Sequence, residues 1–273
     1  MRFPKILLLA ALLLLPRGLS AGEAVLTGLS PARLLPSMAG ESHGYTLDFL
    51  IFRDVAEARL HLTADGVAGR YRAELVARTL GVASWLTGER THYYVSVMEA
   101  DASGRLRTIS HEASVRKRKA GAWSDRQRRY RFDYAAGKIY QEKGEDGRFA
   151  PGLVFDLPAG PPPVDVLTGF YNLRSGVYGA LTPGARLTIP TFSSRGFGAI
   201  EIEVLTGSER LAKAFFPATG TLLRARVDPE VFDTKGADMY AWFDETGRPA
   251  RGVVESVIGI GDVYGHLKEG PSP

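Results

Sequence analysis

The residues able to carry chemistry are present but scattered. His43, His61, His92, His111 and His266 never stand at the i, i+4 spacing that puts two imidazoles on one helix face, and no pair of them encloses an acid as a zinc-protease motif requires. Each reads first as an ordinary strand or surface histidine, and a metal site would have to be assembled across strands. A serine nucleophile needs Gly-x-Ser-x-Gly at a strand-to-helix turn, which is absent, and Ser-x-x-Lys does not occur in a helical context. The chain has no cysteine, so it has no thiol nucleophile, thiolate ligand, disulfide or lipid-modified cysteine. Gly259, Gly261 and Gly265 imitate a phosphate-binding loop, but the third glycine comes one residue late and no helix begins at Leu267, so strand bends or bulges account for them. Asp244 and Glu245 read as turn residues and Asp165 as a helix cap. On these grounds no catalytic residue, metal or cofactor is assigned.

The densest charge feature runs from Arg105 to Arg131, where ten arginines and lysines face Glu112 and Asp125 as the only acids. Within it Tyr130, Phe132 and Tyr134 alternate with Arg129, Arg131 and Asp133, which predicts a hairpin with one aromatic and one cationic face. A solvated outer surface is the plain reading. The sharper one is a patch of Arg116, Arg118, Arg128, Arg129 and Arg131 that meets anionic headgroups or acidic glycans, each charge adding up to about 1 kcal/mol near such a surface.

The elements that must position these residues are mostly strands. Residues 44–52 are strand-like, and over 55–63 Ala56, Ala58, Leu60 and Leu62 alternate with Glu57, Arg59, His61 and Thr63; Asp65-Gly66 then turns the chain into 71–80. Residues 81–86, with Trp85, suit a single helical turn. Strands follow over 92–99, 106–118, 127–135 and 138–142, a spacing without long helices that points to an antiparallel sheet. Residues 144–163, crowded with prolines, read as a connection between a first half (40–143) and a second half (164–268). Pro163 and Asp165 then open a helix over 164–174, expected to lie across the sheet as a lid or plug. Beyond it strands are expected at 185–192, 199–205, 213–216, 222–227 and 263–267, and the run 239–260 is read as a hairpin broken at Asp244 to Pro249. The fold class is therefore mainly β.

The N-terminus indicates the address. Arg2 and Lys5 precede an unbroken apolar run of ten, Ile6 to Leu15, too short to cross a hydrocarbon layer of ~30 Å as a helix. It predicts a secretory signal over residues 1–21, cleaved between Ser20 and Ala24. Cleavage after Ala21 removes Arg2, Lys5 and Arg17, which takes the formal charge from +4 to +1, so net charge gives no support for a nucleic-acid partner. Arginine outnumbers lysine 26 to 8 and Asn172 is the only asparagine, a bias of GC-rich genomes. Together these point to the periplasm of a Gram-negative bacterium and to a mature chain without a transmembrane anchor.

Three motifs, Asp165-Val166-Leu167-Thr168-Gly169-Phe170-Tyr171-Asn172-Leu173-Arg174, Gly220-Thr221-Leu222-Leu223-Arg224-Ala225-Arg226-Val227 and Tyr240-Ala241-Trp242-Phe243-Asp244 followed by Arg248-Pro249, resemble the DUF3108 domain, a family of exported bacterial proteins of undefined function. The likeness spans about residues 40–268. It implies a curved antiparallel sheet, a half-barrel or open barrel wrapped around one or two short helices and comparable to the half-barrel of lipoprotein carriers; it implies no catalytic residues. The expectation is a non-enzymatic protein whose sheet and helix enclose a groove for a lipid-like or other apolar ligand in envelope biogenesis, lined by Trp85, Phe170, Tyr171 and Trp242. The alternatives are an envelope scaffold that uses its basic hairpin on an anionic surface and, most remote, a cell-wall hydrolase.

Overall fold

The computed structural model of the chain describes residues 31–81, 83–84, 88–119, 121–193, 196–211, 213–227, 238–257 and 261–268. The expected secretory signal and Trp85 lie outside them. Strands β1 (Ser42–Phe49), β2 (Phe52–Ala64), β3 (Arg70–Thr79), β4 (Arg90–Ala100), β5 (Leu106–Lys119), β6 (Ala122–Asp133), β7 (Lys138–Glu145) and β8 (Arg148–Asp156) form the first half. The second comprises β9 (Arg186–Ser193), β10 (Gly196–Val204), β11 (Thr221–Val227), β12 (Met239–Phe243), β13 (Pro249–Val257) and β14 (Gly261–Leu267). Short helices among the described residues include α1 (Pro31–Met38), α2 (Val166–Arg174) and α3 (Gly207–Leu211).

The fourteen strands of the described residues belong to one antiparallel sheet in the order β8-β7-β6-β5-β4-β3-β2-β1-β14-β13-β12-β11-β10-β9. Each half is a meander of neighbours in sequence, and the two join where β1 pairs β14, Tyr45 opposite Leu267. The edges, β8 and β9, are not hydrogen-bonded into a closed barrel. They are brought together by aromatic packing, with Phe155 5.0 Å from Phe192 and Phe192 5.2 Å from Tyr130 by ring centroids. Val164, on the way into α2, makes a parallel bridge to Thr191, so that its N–H donates to Pro190 O and its C=O accepts from Phe192 N.

Alternation builds the core as the sequence predicts. On the inner face Leu47, Ala56, Leu60, Leu62, Ala73, Leu75 and Ala77 are almost completely buried. The expected plug is there: α2 packs against β4, β5 and β9, with residues 167–173 all buried. Asn172 anchors it. Its Oδ1 accepts from Leu106 N and its Nδ2 donates to Leu106 O, both at 2.8 Å, so the amide completes the backbone of β5 as a neighbouring strand would.

Three expectations change. The strand-like run 44–52 is broken by a two-residue turn at Leu50-Ile51, with Leu50 at φ 54° in a position that favours glycine. The proline-rich connection starts later than expected, because residues 148–156 form β8; Pro151 is tolerated there because β8 is an edge. Residues 213–216 are not a strand but belong, with α3, to a segment lying over β12. Helices α1 and α3 had no counterpart in the sequence reading.

Replacing Asn172 by Ala should lower stability by about 2–3 kcal/mol in urea denaturation, since it leaves the buried N–H and C=O of Leu106 without partners. An unchanged unfolding midpoint would show that α2 is held by apolar packing alone.

Candidate functional site

The buried polar groups of the inner face gather around the N-terminus of α2. Asp165 is the N-cap and is fully enclosed: Oδ1 accepts from Leu167 N (2.9 Å), Thr168 N (3.3 Å) and Ser96 Oγ (2.6 Å), and Oδ2 from Thr108 Oγ1 (2.7 Å) and Thr168 Oγ1 (2.5 Å). His111 Nδ1 stands 3.4 Å from the same carboxylate and 2.9 Å from Ser96 Oγ. Burial pushes the Asp165 carboxyl up, but His111 and the hydroxyls of Ser96 and Thr168 outweigh it and hold the group far below the usual carboxylate range.

A β-bulge makes this convergence possible. Val97 faces Ser110 and Met98 faces Thr108, which leaves Ile109 as the extra residue and puts both Thr108 and His111 on the inner face. Strict alternation would have placed them on opposite faces. That is why sequence reasoning, which found no relation among Ser96, Thr108, His111 and Asp165, missed the cluster.

The chemistry open to a Ser, His and Asp in contact is nucleophilic catalysis, and the geometry is wrong for it. Ser96 is completely buried and gives its proton to Asp165, so its oxygen can only accept from the His111 Nδ1–H. A nucleophile would instead give its proton to a histidine that is itself oriented by the acid.

From this cluster an aromatic and polar row runs along the inner face. His111 stacks between Tyr94 (6.4 Å) and Tyr130 (6.3 Å), and Gln141 Nε2 donates to Tyr130 Oη at 3.0 Å. Toward the turn that precedes β4, buried His92 contacts Tyr94 Oη at 3.3 Å. Burial and the charge of Arg90 push the His92 imidazole down to about 4. A second buried group closes the other end of α2, where Arg174 makes a two-pronged pair with Glu41, one contact being 3.1 Å, and lies over the rings of Phe170 and Tyr171.

The residues expected to line a groove separate. Phe170 and Tyr171 are buried in the core against each other and against Arg174. Trp242 does not face the inner side: Met239, Ala241 and Phe243 take that side of β12, and Trp242 lies on the convex face, its Nε1–H donating to Thr219 O at 2.6 Å. The arginines expected to form one anionic-surface patch also divide. Arg129 pairs with Glu112 and Glu142, and Arg131 with Asp133, on the outer face. Arg116 and Arg118 clasp the exposed Trp123 ring at 4.8 and 5.7 Å near the β5–β6 turn. Arg128 shares the inner face with Tyr130. The even numbering of Arg126, Arg128, Tyr130 and Phe132 was the available signal for that placement. Beside the same turn lies an open hollow of about 550 Å³ lined by Gly81, Ser84, Gly88, Glu89, Arg118 and Gly121.

Residues 44–268 match the family model described as a protein of unknown function, DUF3108. No curated protein matches the chain. Among solved structures it is similar to the β-barrel-like protein of domain of unknown function DUF1849 from Brucella abortus, at 13% identity and a TM-score of 0.44, covering 83% of this chain and 94% of that one.

His92 is neutral in the fold down to about pH 4, whereas an unfolded histidine protonates near 6.5. As pH falls the unfolded chain therefore takes up the proton first, and about 3 kcal/mol should be lost between pH 6.5 and 4; half-exposed His266, also shifted down, adds a smaller loss. Urea midpoints measured across this window should show the slope, and His92→Leu should remove most of it.

Proposed function

This chain belongs to the DUF3108 family, whose description assigns no function, and from that premise we propose that it is a non-enzymatic protein of the cell envelope that holds a lipid-like ligand against the inner face of its sheet. The observation that carries the reading is that α2 covers only part of this face. Beyond the plug, Tyr94, Ala113 and Val115 continue the core wall with decreasing burial, until the side chains of Arg126 and Lys143 are exposed. Such a surface, apolar below and cationic above, complements an amphiphile. The absence of turnover in the proposal rests on the Ser96, His111 and Asp165 grouping, whose hydrogen bonds are used to hold α2. Export to the periplasm, read from Arg2, Lys5 and the apolar run after them, is part of the same proposal.

Mass spectrometry of protein purified from its native envelope without denaturation should detect a co-purifying amphiphile. Protein that carries none, or that releases products from peptidoglycan, overturns the reading.

A second reading, attachment to an anionic lipid surface, is favoured by the β5–β6 turn. There Trp123 is 44% exposed between Arg116 and Arg118, the pairing of ring and cation suited to a membrane interface. The β1–β2 turn, at the same end of the sheet, exposes Leu50, Ile51 (86%) and Phe52. Co-sedimentation with phosphatidylglycerol vesicles, but not with phosphatidylcholine vesicles, is expected, with at least a severalfold loss in Trp123→Ala combined with Arg116→Glu. Equal sedimentation of variant and parent would remove this reading.

A further inference from the structure

We propose that Arg126, Arg128 and Lys143, on the inner face of β6 and β7 beyond the core, form a binding site for an oxyanion, a phosphate or carboxylate; on the ligand-holding reading, on which this rests, the oxyanion is the acidic headgroup of the amphiphile. Register fixes the placement. Tyr130 faces Gln141, both buried on the inner side, so one step up the strands Arg128 faces Lys143 and two steps up Arg126 faces Glu145. Arg128 and Lys143 are thus like charges directly opposed on one face of adjacent strands, Cβ atoms about 5 Å apart, an arrangement that costs stability unless an anion sits between them.

The two faces of the same hairpin treat their cations differently. On the outer face Arg129 and Arg131 are matched by Glu112, Glu142 and Asp133. On the inner face, among the described residues, Arg126, Arg128 and Lys143 have no acid partner; Glu145, which lies between Arg126 and Arg148 in the register, forms an ion pair with neither. On β6 and β7, therefore, the cations without acid partners stand on the side that meets the core wall.

A neutral donor completes the site. Tyr130 is 3% exposed and its oxygen accepts from Gln141 Nε2 and from the Arg128 guanidinium, but its own proton has no acceptor among the described residues. Burial raises the Tyr130 phenol, against the effects of Gln141 and Arg128, so it keeps that proton, and its bond from Arg128 places the phenol beside the cations. Two guanidinium groups, one ammonium and one phenol O–H are donors suited to the several oxygens of a phosphate or carboxylate.

Isothermal titration of the full chain with dioctanoyl phosphatidic acid, dioctanoylglycerol and inorganic phosphate tests this, against the double variant Arg128→Gln with Lys143→Gln. The expected result is that phosphatidic acid binds at least about tenfold more weakly to the variant while dioctanoylglycerol binds both proteins alike. The unliganded variant should unfold at the same temperature or a higher one, because an opposed like-charge pair has been removed. Phosphate bound and lost in the variant, with neither amphiphile held, would support the oxyanion site and overturn the ligand-holding reading. Phosphatidic acid and dioctanoylglycerol held equally by both proteins would overturn the oxyanion site and leave that reading standing. A variant that unfolds earlier, or a parent that binds none of the three, would overturn the site.

Discussion

An ionised carboxylate buried at the N-terminus of the helix that plugs the interior is the constraint around which this sheet is arranged. Leaving water costs such a group several kcal/mol, which is offset only when its lone pairs are filled by well-placed donors. Asp165 has three hydroxyls, two backbone N–H groups and an imidazole within reach. Ser96 comes from β4, Thr108 and His111 from β5, and Thr168 from the first turn of α2. Satisfying one carboxylate thus fixes the plug against two strands, and Asn172, one helical turn beyond Thr168, repeats the attachment at Leu106.

The bulge at Ile109 has consequences beyond the cluster. By bringing both Thr108 and His111 inward it reverses the phase of the rest of β5, so Ala113, Val115 and Lys117 face in while Arg116 and Arg118 face out. Were the strand regular, Arg116 and Arg118 would point at the core wall. One inserted residue therefore determines which cations clasp Trp123 on the convex side, and it keeps the register in which Arg128 and Lys143 meet on the inner side. The open seam between β8 and β9 has a related origin: the chain leaves β8, enters the interior as α2 and returns at β9, with Val164 and the rings around Phe192 filling the place of a final pair of ladders.

Much of this architecture was legible in the sequence where local chemistry and pattern agree. The alternation of Ala56, Leu60 and Leu62 with charged neighbours, the hairpin broken at Asp244 to Pro249, and the helix opened by Asp165 all have a period or a turn residue that announces them. What was missed lacks such a mark. Leu50 occupies a position that normally calls for glycine, so the β1–β2 turn looked like continuous strand. Pro151 and Gly152 suggested a linker, yet Gly152 is there because a Cβ would stand 2.8 Å from Gln141 Oε1. Trp242 has the composition of a groove residue, and only the segment over β12 decides that it is covered from the convex side. The site around Asp165 was invisible for a further reason: its members lie up to 69 residues apart and are joined by a bulge that no glycine signals.

The inner face of β4–β7 passes within a few residues from a buried hydrogen-bonded row to cations without carboxylate partners. In the row of Ser96, His111, Tyr130 and Gln141, side chains end on one another or on Asp165, as burial demands. One and two rows higher, about 7 Å apart along each strand, Lys143 and Arg126 end on solvent and half-buried Arg128 reaches the neutral Tyr130 phenol in place of a carboxylate. A sheet selected only for stability gains nothing from arranging these cations in opposition, since any neutral polar residue would hydrate as well without repulsion. The same hairpin pairs its outer arginines with acids, so the strands have no general shortage of carboxylates. The asymmetry lies between faces, and it falls where the wall of the core opens: that is where an amphiphile resting on Tyr94, Ala113 and Val115 would bring its charge.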